Sequence, residues 1–226
     1  MAREGSFLEE AQRHLASGHG VDAVVRVYNE GDGVSIEERA TGTTLLFHAA
    51  RKGWCSAITW LLKRGADVHA GCPSHGSMPL HGAAEHDKRG AAVLLLDADV
   101  RVDDRDRWGS TALHFAAYWK RTDMCKLLLS RGASLDARRN NGYDPEARAR
   151  RRGRTATGRT ATADLLAAVR AAGGWRPYCD AQFLELRREL LAPGAVAKSS
   201  ERLYERVFVE LPNAVFPRVL AFRPDF

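Results

Sequence analysis

Along the middle of the chain, short apolar blocks come in pairs at a fixed interval. The first block of each pair is small and apolar: GTTLLFHAA at 42–50, GSMPLHGAA at 76–84 and GSTALHFAA at 109–117. Their glycines lie 34 and 33 residues apart, and a decayed copy, GYDPEARAR at 142–150, begins 33 residues further on. The second block is rich in leucine: ITWLLKRGADV ends at Val68, AAVLLLDADVRV at Val102 and CKLLLSRGASL at Leu135. Twelve residues separate Ala50 from Leu62, Ala84 from Leu96 and Ala117 from Leu129, so the register runs through all three copies without a gap. Each period therefore predicts two helices, the first lined with alanine for close approach and the second carrying a leucine face.

The block edges support this reading. Thr44, Thr111 and Asp144 sit where a side-chain oxygen can accept from the free N–H groups of a first helical turn. Met78 takes that place in the third unit and cannot do so, which predicts a poorer helix start there. Gly65 and Gly132 follow the second helix, where a left-handed residue is wanted, and Asp99 stands there in the third unit. One helix pair cannot bury its own apolar faces, so the units must stack on one another.

This period of 33, with T-P-L-H-x-A-A followed by L-L-x-x-G-A-D-V, resembles the ankyrin repeat. The resemblance implies an all-α ankyrin-repeat solenoid of about five units within residues 8–174. The expected units are about 8–41, 42–75, 76–108, 109–141 and 142–174, the first and last divergent. Shifted by 34, Leu15-Ala16 falls on Ala49-Ala50, and NEGDGV (29–34) on KRGADV (63–68), so the first unit is expected to follow the same helical plan. The resemblance also implies that His81 and His114 hydrogen-bond between adjacent units and have no catalytic role. Phe47 fills the same slot in the second unit, which a shared chemical role would not permit.

Composition adds limits. With 45% hydrophobic and 27% charged residues the chain reads as folded, not disordered. No apolar run reaches membrane-helix length, and MAREGSFLEEAQRHL carries no apolar leader core, so neither a span nor a secretory signal is expected. Cys55, Cys72, Cys125 and Cys179 are scattered, which suits free thiols in a reducing compartment, cytoplasmic or nuclear. The net charge of +6 is local: residues 138–160 hold eight arginines against Asp144 and Glu146, and the rest of the chain sums to zero. The run RARRRGR (148–154) reads first as a solvated helix end, then as an import signal or a contact for an acidic partner. Nucleic acid is not expected to bind there, because no aromatic residue interrupts 144–174 to stack bases. Just beyond it RTATG (154–158) is repeated as RTATA (159–163), a duplication that should lengthen the turn between the two helices of the fifth unit.

Residues 175–226 leave the repeat and read as a helical cap. A helix is expected from Asp180, as its cap, to Leu191. A second is expected over about 200–210, and a third after Pro212. Within the tail, LPNAVFPRVLAF (211–222) is similar to the opening of F-boxes and to the end of SOCS boxes, families that recruit ubiquitin-ligase subunits. Only 16 residues remain from Leu211, fewer than an F-box needs, and Leu184 is followed by Arg188 where the SOCS pattern has a small residue.

No phosphate-binding glycine loop, nucleophile elbow or paired carboxylates stand out. His69, Cys72, His75 and His81 have spacings that can ligate zinc, but the stretch spans an inter-unit hairpin and His81 belongs to the repeat. The chain is thus expected to be a cofactor-free, monomeric scaffold binding a protein partner, with a ligase-substrate adaptor as the alternative. Its contact residues are expected on hairpin tips and first helices. The aromatics Trp108, Tyr118 and Trp119 lead, with Arg51, Arg107, Arg139, His75 and His86 around them, while His81, His114, Thr44 and Thr111 serve the repeat.

Overall fold

The computed structural model describes residues 2–30, 33–38, 42–151 and 160–191. By internal contacts the chain forms two units, residues 1–163 and 164–226, the division falling after Ala163 where the repeat pattern places it after Gly174.

The first unit opens with helix α1 (Ala2–Ala16), whose Phe7 and Ala11 are fully buried. The next segment differs from the helical plan expected of it. In place of a second helix, the chain forms strands β1 (Val24–Glu30) and β2 (Gly33–Glu38), with a short β3 (Thr43–Thr44) on the other side of β1. All pairs are antiparallel, with Val25 opposite Glu38 and Val24 opposite Thr44. The reason is local: Val24, Val25, Val27 and Tyr28 favour a pleated backbone over a helix. The chain returns close to β1 after the hairpin, and a Cβ on Gly42 would run into the Val25 carbonyl. The remainder of the unit keeps the all-helical plan.

The helix pairs come in order: α2 (Leu45–Lys52) with α3 (Cys55–Lys63), α4 (Pro79–Glu85) with α5 (Arg89–Leu96), and α6 (Ala112–Tyr118) with α7 (Thr122–Ser130). Then comes α8 (Pro145–Arg151). First helices stack on first helices, α2 on α4, α4 on α6 and α6 on α8, and α3 packs on α5. The alanine pairs do what small residues permit: Ala49, Ala50, Ala83, Ala84, Ala116 and Ala117 are fully buried at these contacts. Ile58, Leu61, Leu95 and Leu128 of the second helices are fully buried in the core.

Helix ends explain the spacing. Thr44 accepts from the Phe47 N–H at 3.1 Å, and Asp144 accepts from the Ala147 N–H at 2.8 Å. At Met78 the poorer start expected from the missing cap oxygen is offset from the other side. His81 Nδ1 accepts the Met78 N–H at 2.9 Å, and Pro79 occupies a position where no N–H is needed. Helix α3 is capped from a distance, since Glu4 accepts from the N–H groups of Ser56 and Ala57 at 2.9 and 3.2 Å. Gly65, Asp99 and Gly132 are all left-handed, with φ of 79°, 60° and 88°.

Helix α9 (Ala161–Ala171) begins in the first unit, where Thr160 accepts from the Ala163 N–H at 3.1 Å. In the second unit, α10 (Trp175–Leu191) starts five residues before the expected cap, Asp180. Gly173 and Gly174, both at positive φ, end α9, and the next turn closes at once through Tyr178 N–H to the Gly174 carbonyl at 3.2 Å. Pro177 fits this first turn, which leaves Asp180 inside the helix. Most of the duplicated RTATG segment, the helices expected beyond residue 192 and the LPNAVFPRVLAF segment lie outside the described residues. Among the described residues no helix is long and apolar enough to cross a membrane.

Candidate functional site

Between units the chain makes tight hairpins, each closed by a repeated bond. Asp106 N–H donates to the Ser110 carbonyl at 3.0 Å, and Arg139 N–H to the Tyr143 carbonyl at 3.0 Å. Successive tips are tied by backbone: Arg107 N–H to the His75 carbonyl at 3.1 Å, and Asn140 N–H to the Trp108 carbonyl at 2.9 Å. Asp106 stiffens the middle tip, its Oδ1 accepting from the Trp108 and Ser110 N–H groups at 2.9 and 2.7 Å. Trp108 is held out on this rigid loop with half of its surface (50%) exposed.

His81 and His114 lock hairpins to helices. Each Nδ1 accepts a backbone N–H, from Met78 at 2.9 Å and from Thr111 at 3.2 Å. The ring proton must therefore sit on Nε2, which donates to the carbonyl of Asp104 at 3.0 Å for His81 and of Tyr143 at 3.1 Å for His114. The Thr111 hydroxyl adds a 3.0 Å contact to His114 Nδ1. Burial holds both rings neutral: it pulls the His114 pKa down to about 4 and lowers that of His81. A buried neutral ring with both nitrogens engaged has no free atom for proton transfer.

Beside these locks lies a groove of ≈ 250 Å³. Phe47 of α2 and Phe115 of α6 form its walls, and Trp108 and His75 its rim, with their rings stacked 6.2 Å apart. Gly82 forms the floor: a Cβ there would sit 3.2 Å from the Phe47 ring. Arg51 and Glu85 provide one charge of each sign. Thr43, Ser77 and His81 complete the lining, so the groove sets aromatic rings among polar and charged groups.

Of the residues singled out from the sequence, the groove brings together Trp108, His75 and Arg51. Tyr118 and Trp119 do not line it. They pack edge to face on each other, 5.5 Å apart, with the Arg148 guanidinium 4.2 Å over the Tyr118 ring. Arg107 is exposed and donates to the Ser74 carbonyl at 3.2 Å. Arg139 is part-buried and donates to Ser110 Oγ at 2.6 Å. His86 is exposed at the end of α4. Phe47, which reads from the sequence only as the filler of a histidine slot, belongs to the groove, and so does Gly82.

The four possible zinc ligands go to different tasks. His69 pairs with Asp104 at 2.6 Å, His75 stacks on Trp108, and His81 is bonded at both nitrogens. Cys72 is buried, which pushes its thiol pKa up to about 11. Among the described residues no group of three His, Cys, Asp or Glu could hold a metal ion.

Comparison with known proteins gives the same reading of the repeats. A family model described as ankyrin repeats (3 copies) matches residues 13–106 and 70–139. Human neurogenic locus notch homolog protein 4 is 40% identical over 86 residues, 38% of this chain and 4% of that protein. Serine/threonine-protein kinase 12 of Arabidopsis thaliana is 32% identical over 107 residues, 47% of this chain and 23% of the kinase. Tyrosine-protein kinase Shark of Drosophila melanogaster is 34% identical over 109 residues, 47% of this chain and 12% of the kinase. The chain thus spans less than a quarter of the length of these relatives. Its stacked helix pairs, its histidine locks and the matched residues make this chain a member of the ankyrin-repeat family.

Proposed function

We propose that this protein is a non-enzymatic scaffold that holds an extended segment of a partner protein on the face formed by its hairpin tips and first helices. Ankyrin repeats are in general modules for protein–protein interaction, and the fold alone does not name a partner. The observation that carries the reading is the exposed Trp108. It sits on a loop stiffened by Asp106, at the rim of a groove walled by Phe47 and Phe115. An aromatic ring fixed in advance loses little freedom on binding, and tryptophan beside arginine is the usual make-up of an energetic centre. The occupant is a segment with one apolar side chain for the groove and a neighbouring acidic group. Charge complementarity supports the second requirement, because Arg51 of α2 lines the groove and Arg148 stands on α8, which stacks on α6. Free buried thiols at Cys72 and Cys125 suit a reducing compartment, cytoplasm or nucleus, and the protein acts as a monomer.

The test is a displayed library of random peptides selected on the intact chain. Enriched sequences should share an apolar residue followed or preceded by an acidic one, and should be lost on Trp108→Ala. Enrichment that survives Trp108→Ala would place the binding surface elsewhere.

A further inference from the structure

We infer that Arg139, Arg148 and Arg151 form an anion subsite beside the aromatic groove, built to take a phosphorylated side chain of the bound segment. The inference rests on the proposed segment-binding reading and adds a ligand chemistry to it. Three guanidiniums converge here from two elements. Arg148 and Arg151 stand one turn apart on α8, on one helix face. Arg139 comes from the hairpin before it, oriented by its 2.6 Å bond to Ser110 Oγ. Tyrosine rings position the other two: Arg148 lies 4.2 Å over Tyr118, and Arg151 5.4 Å over Tyr143.

Among the described residues neither Arg139 nor Arg148 has a carboxylate in ion-pair reach, whereas Arg150, on α8 with Arg148, is paired with Glu146. Arg148 Nε is buried and has no hydrogen-bond partner, a costly state for a charged donor. Burial, together with the neighbouring Arg139 and Arg151 charges, lowers the Arg148 pKa from its usual value. Asp106 is the acidic side chain that acts most on Arg148; its Oδ1 is taken by two backbone N–H groups, while its Oδ2 is buried without a hydrogen-bond partner. Three positive charges against one negative leave about +2, which a phosphate dianion neutralises and a single carboxylate does not. The planar fork of each guanidinium also matches phosphate oxygens two at a time.

The repeat explains why the subsite adjoins the groove. Gly82, Phe115 and Arg148 occupy equivalent positions on α4, α6 and α8, as do Glu85, Tyr118 and Arg151. One face thus changes from aromatic to cationic within one unit. Neighbouring helices pack roughly 8–10 Å apart, which an extended chain covers in about three residues. The segment that fits has an apolar residue and, about three positions away, a phosphoserine or phosphothreonine.

Titration of the full chain with phenyl phosphate and with phenylacetate, at constant ionic strength, tests this directly. Phenyl phosphate should bind saturably and at least tenfold more tightly than phenylacetate. Arg148→Gln should weaken it at least tenfold, and the exposed Arg151→Gln several-fold with an unchanged melting temperature. Arg64→Gln, at the C-terminal cap of α3, should have no effect. Equal losses in Arg64→Gln and Arg151→Gln would mean general charge attraction and overturn the subsite. Phenylacetate binding as tightly as phenyl phosphate would overturn the phosphate assignment in favour of an acidic side chain. Trp108→Ala should leave phenyl phosphate binding intact, so failure of the groove and failure of the subsite are separately visible.

Discussion

The Nε2–H of His114 donates to the backbone carbonyl of Tyr143 at 3.1 Å, joining the start of one helix pair to the hairpin of the next. His81 one unit earlier also donates from Nε2 to a backbone carbonyl, that of Asp104, although the repeat equivalent of Tyr143 there is Ser110, so two successive interfaces depend on a neutral imidazole. Protonation would place a proton on Nδ1, opposite the N–H of Thr111 or Met78, and would break the helix start at the same time.

The resulting pH dependence has a definite sign. In the folded state His48 and His114 titrate at about 4, below the unfolded value of 6.5. The unfolded chain therefore binds more protons between these limits, and stability rises with pH there. The contribution is complete above pH 6.5 and is lost as the pH falls towards 4, on the order of 3 kcal/mol per histidine. Melting temperature measured from pH 7.5 to 5 should fall steeply in the wild type. His114→Gln should melt lower at pH 7.5 and show a shallower fall. A parallel fall in both proteins would contradict the assignment.

Asp99 offers a stability gain. It holds φ of 60° where the equivalent positions in the units on either side are Gly65 and Gly132. A side chain is strained in this left-handed region, by about 1 kcal/mol, and part of the relief is offset by the greater freedom of glycine in the unfolded chain. Asp99→Gly should stabilise by about 0.5–1 kcal/mol in chemical denaturation, with an unchanged m-value.

Glu4 ties the divergent first unit to the regular ones. Its carboxylate accepts from Ser56 and Ala57 at the start of α3, where Trp54 supplies no side-chain cap bond. Glu4→Ala should lower stability by about 1 kcal/mol, the usual worth of an N-cap. Hydrogen exchange should quicken first at the Ser56 and Ala57 amides. If those amides stay protected, the contact does not cap the helix in solution.

The regular units were legible because their information is periodic: spacing, alanine pairs and cap residues all recur and reinforce one another. The first unit was not, since its valines set a strand preference that the alignment of NEGDGV with KRGADV could not weigh. The cap at α3 comes from a residue 52 positions away, which no local pattern reveals. For the candidate site, Trp108 was legible as a hairpin-tip aromatic. The separation of Tyr118 and Trp119 from the groove was not, because it depends on which way their rings turn at the end of α6. Gly82 does carry a signal: a glycine inside a helix, between positions with large side chains in the neighbouring units, marks a close approach.

That approach can be tested. A Cβ at position 82 would lie 3.2 Å from the Phe47 ring and 3.5 Å from Arg51 Cβ, so Gly82→Ala raises the groove floor. Alanine is the better helix former by about 1 kcal/mol, and Phe47 must yield slightly. The melting temperature should hold or rise, while affinity for selected peptides falls. A loss of stability instead would show that the Phe47 ring cannot move.

Trp108 is proposed to anchor a partner segment without supporting the fold, and the two roles separate in a single variant. The decisive experiment pairs the affinity of Trp108→Ala for a selected peptide with its melting temperature. Binding should weaken by about 2 kcal/mol or more, roughly 30-fold, while the melting temperature stays nearly unchanged. Unchanged affinity, or a large drop in melting temperature, would refute the anchoring role.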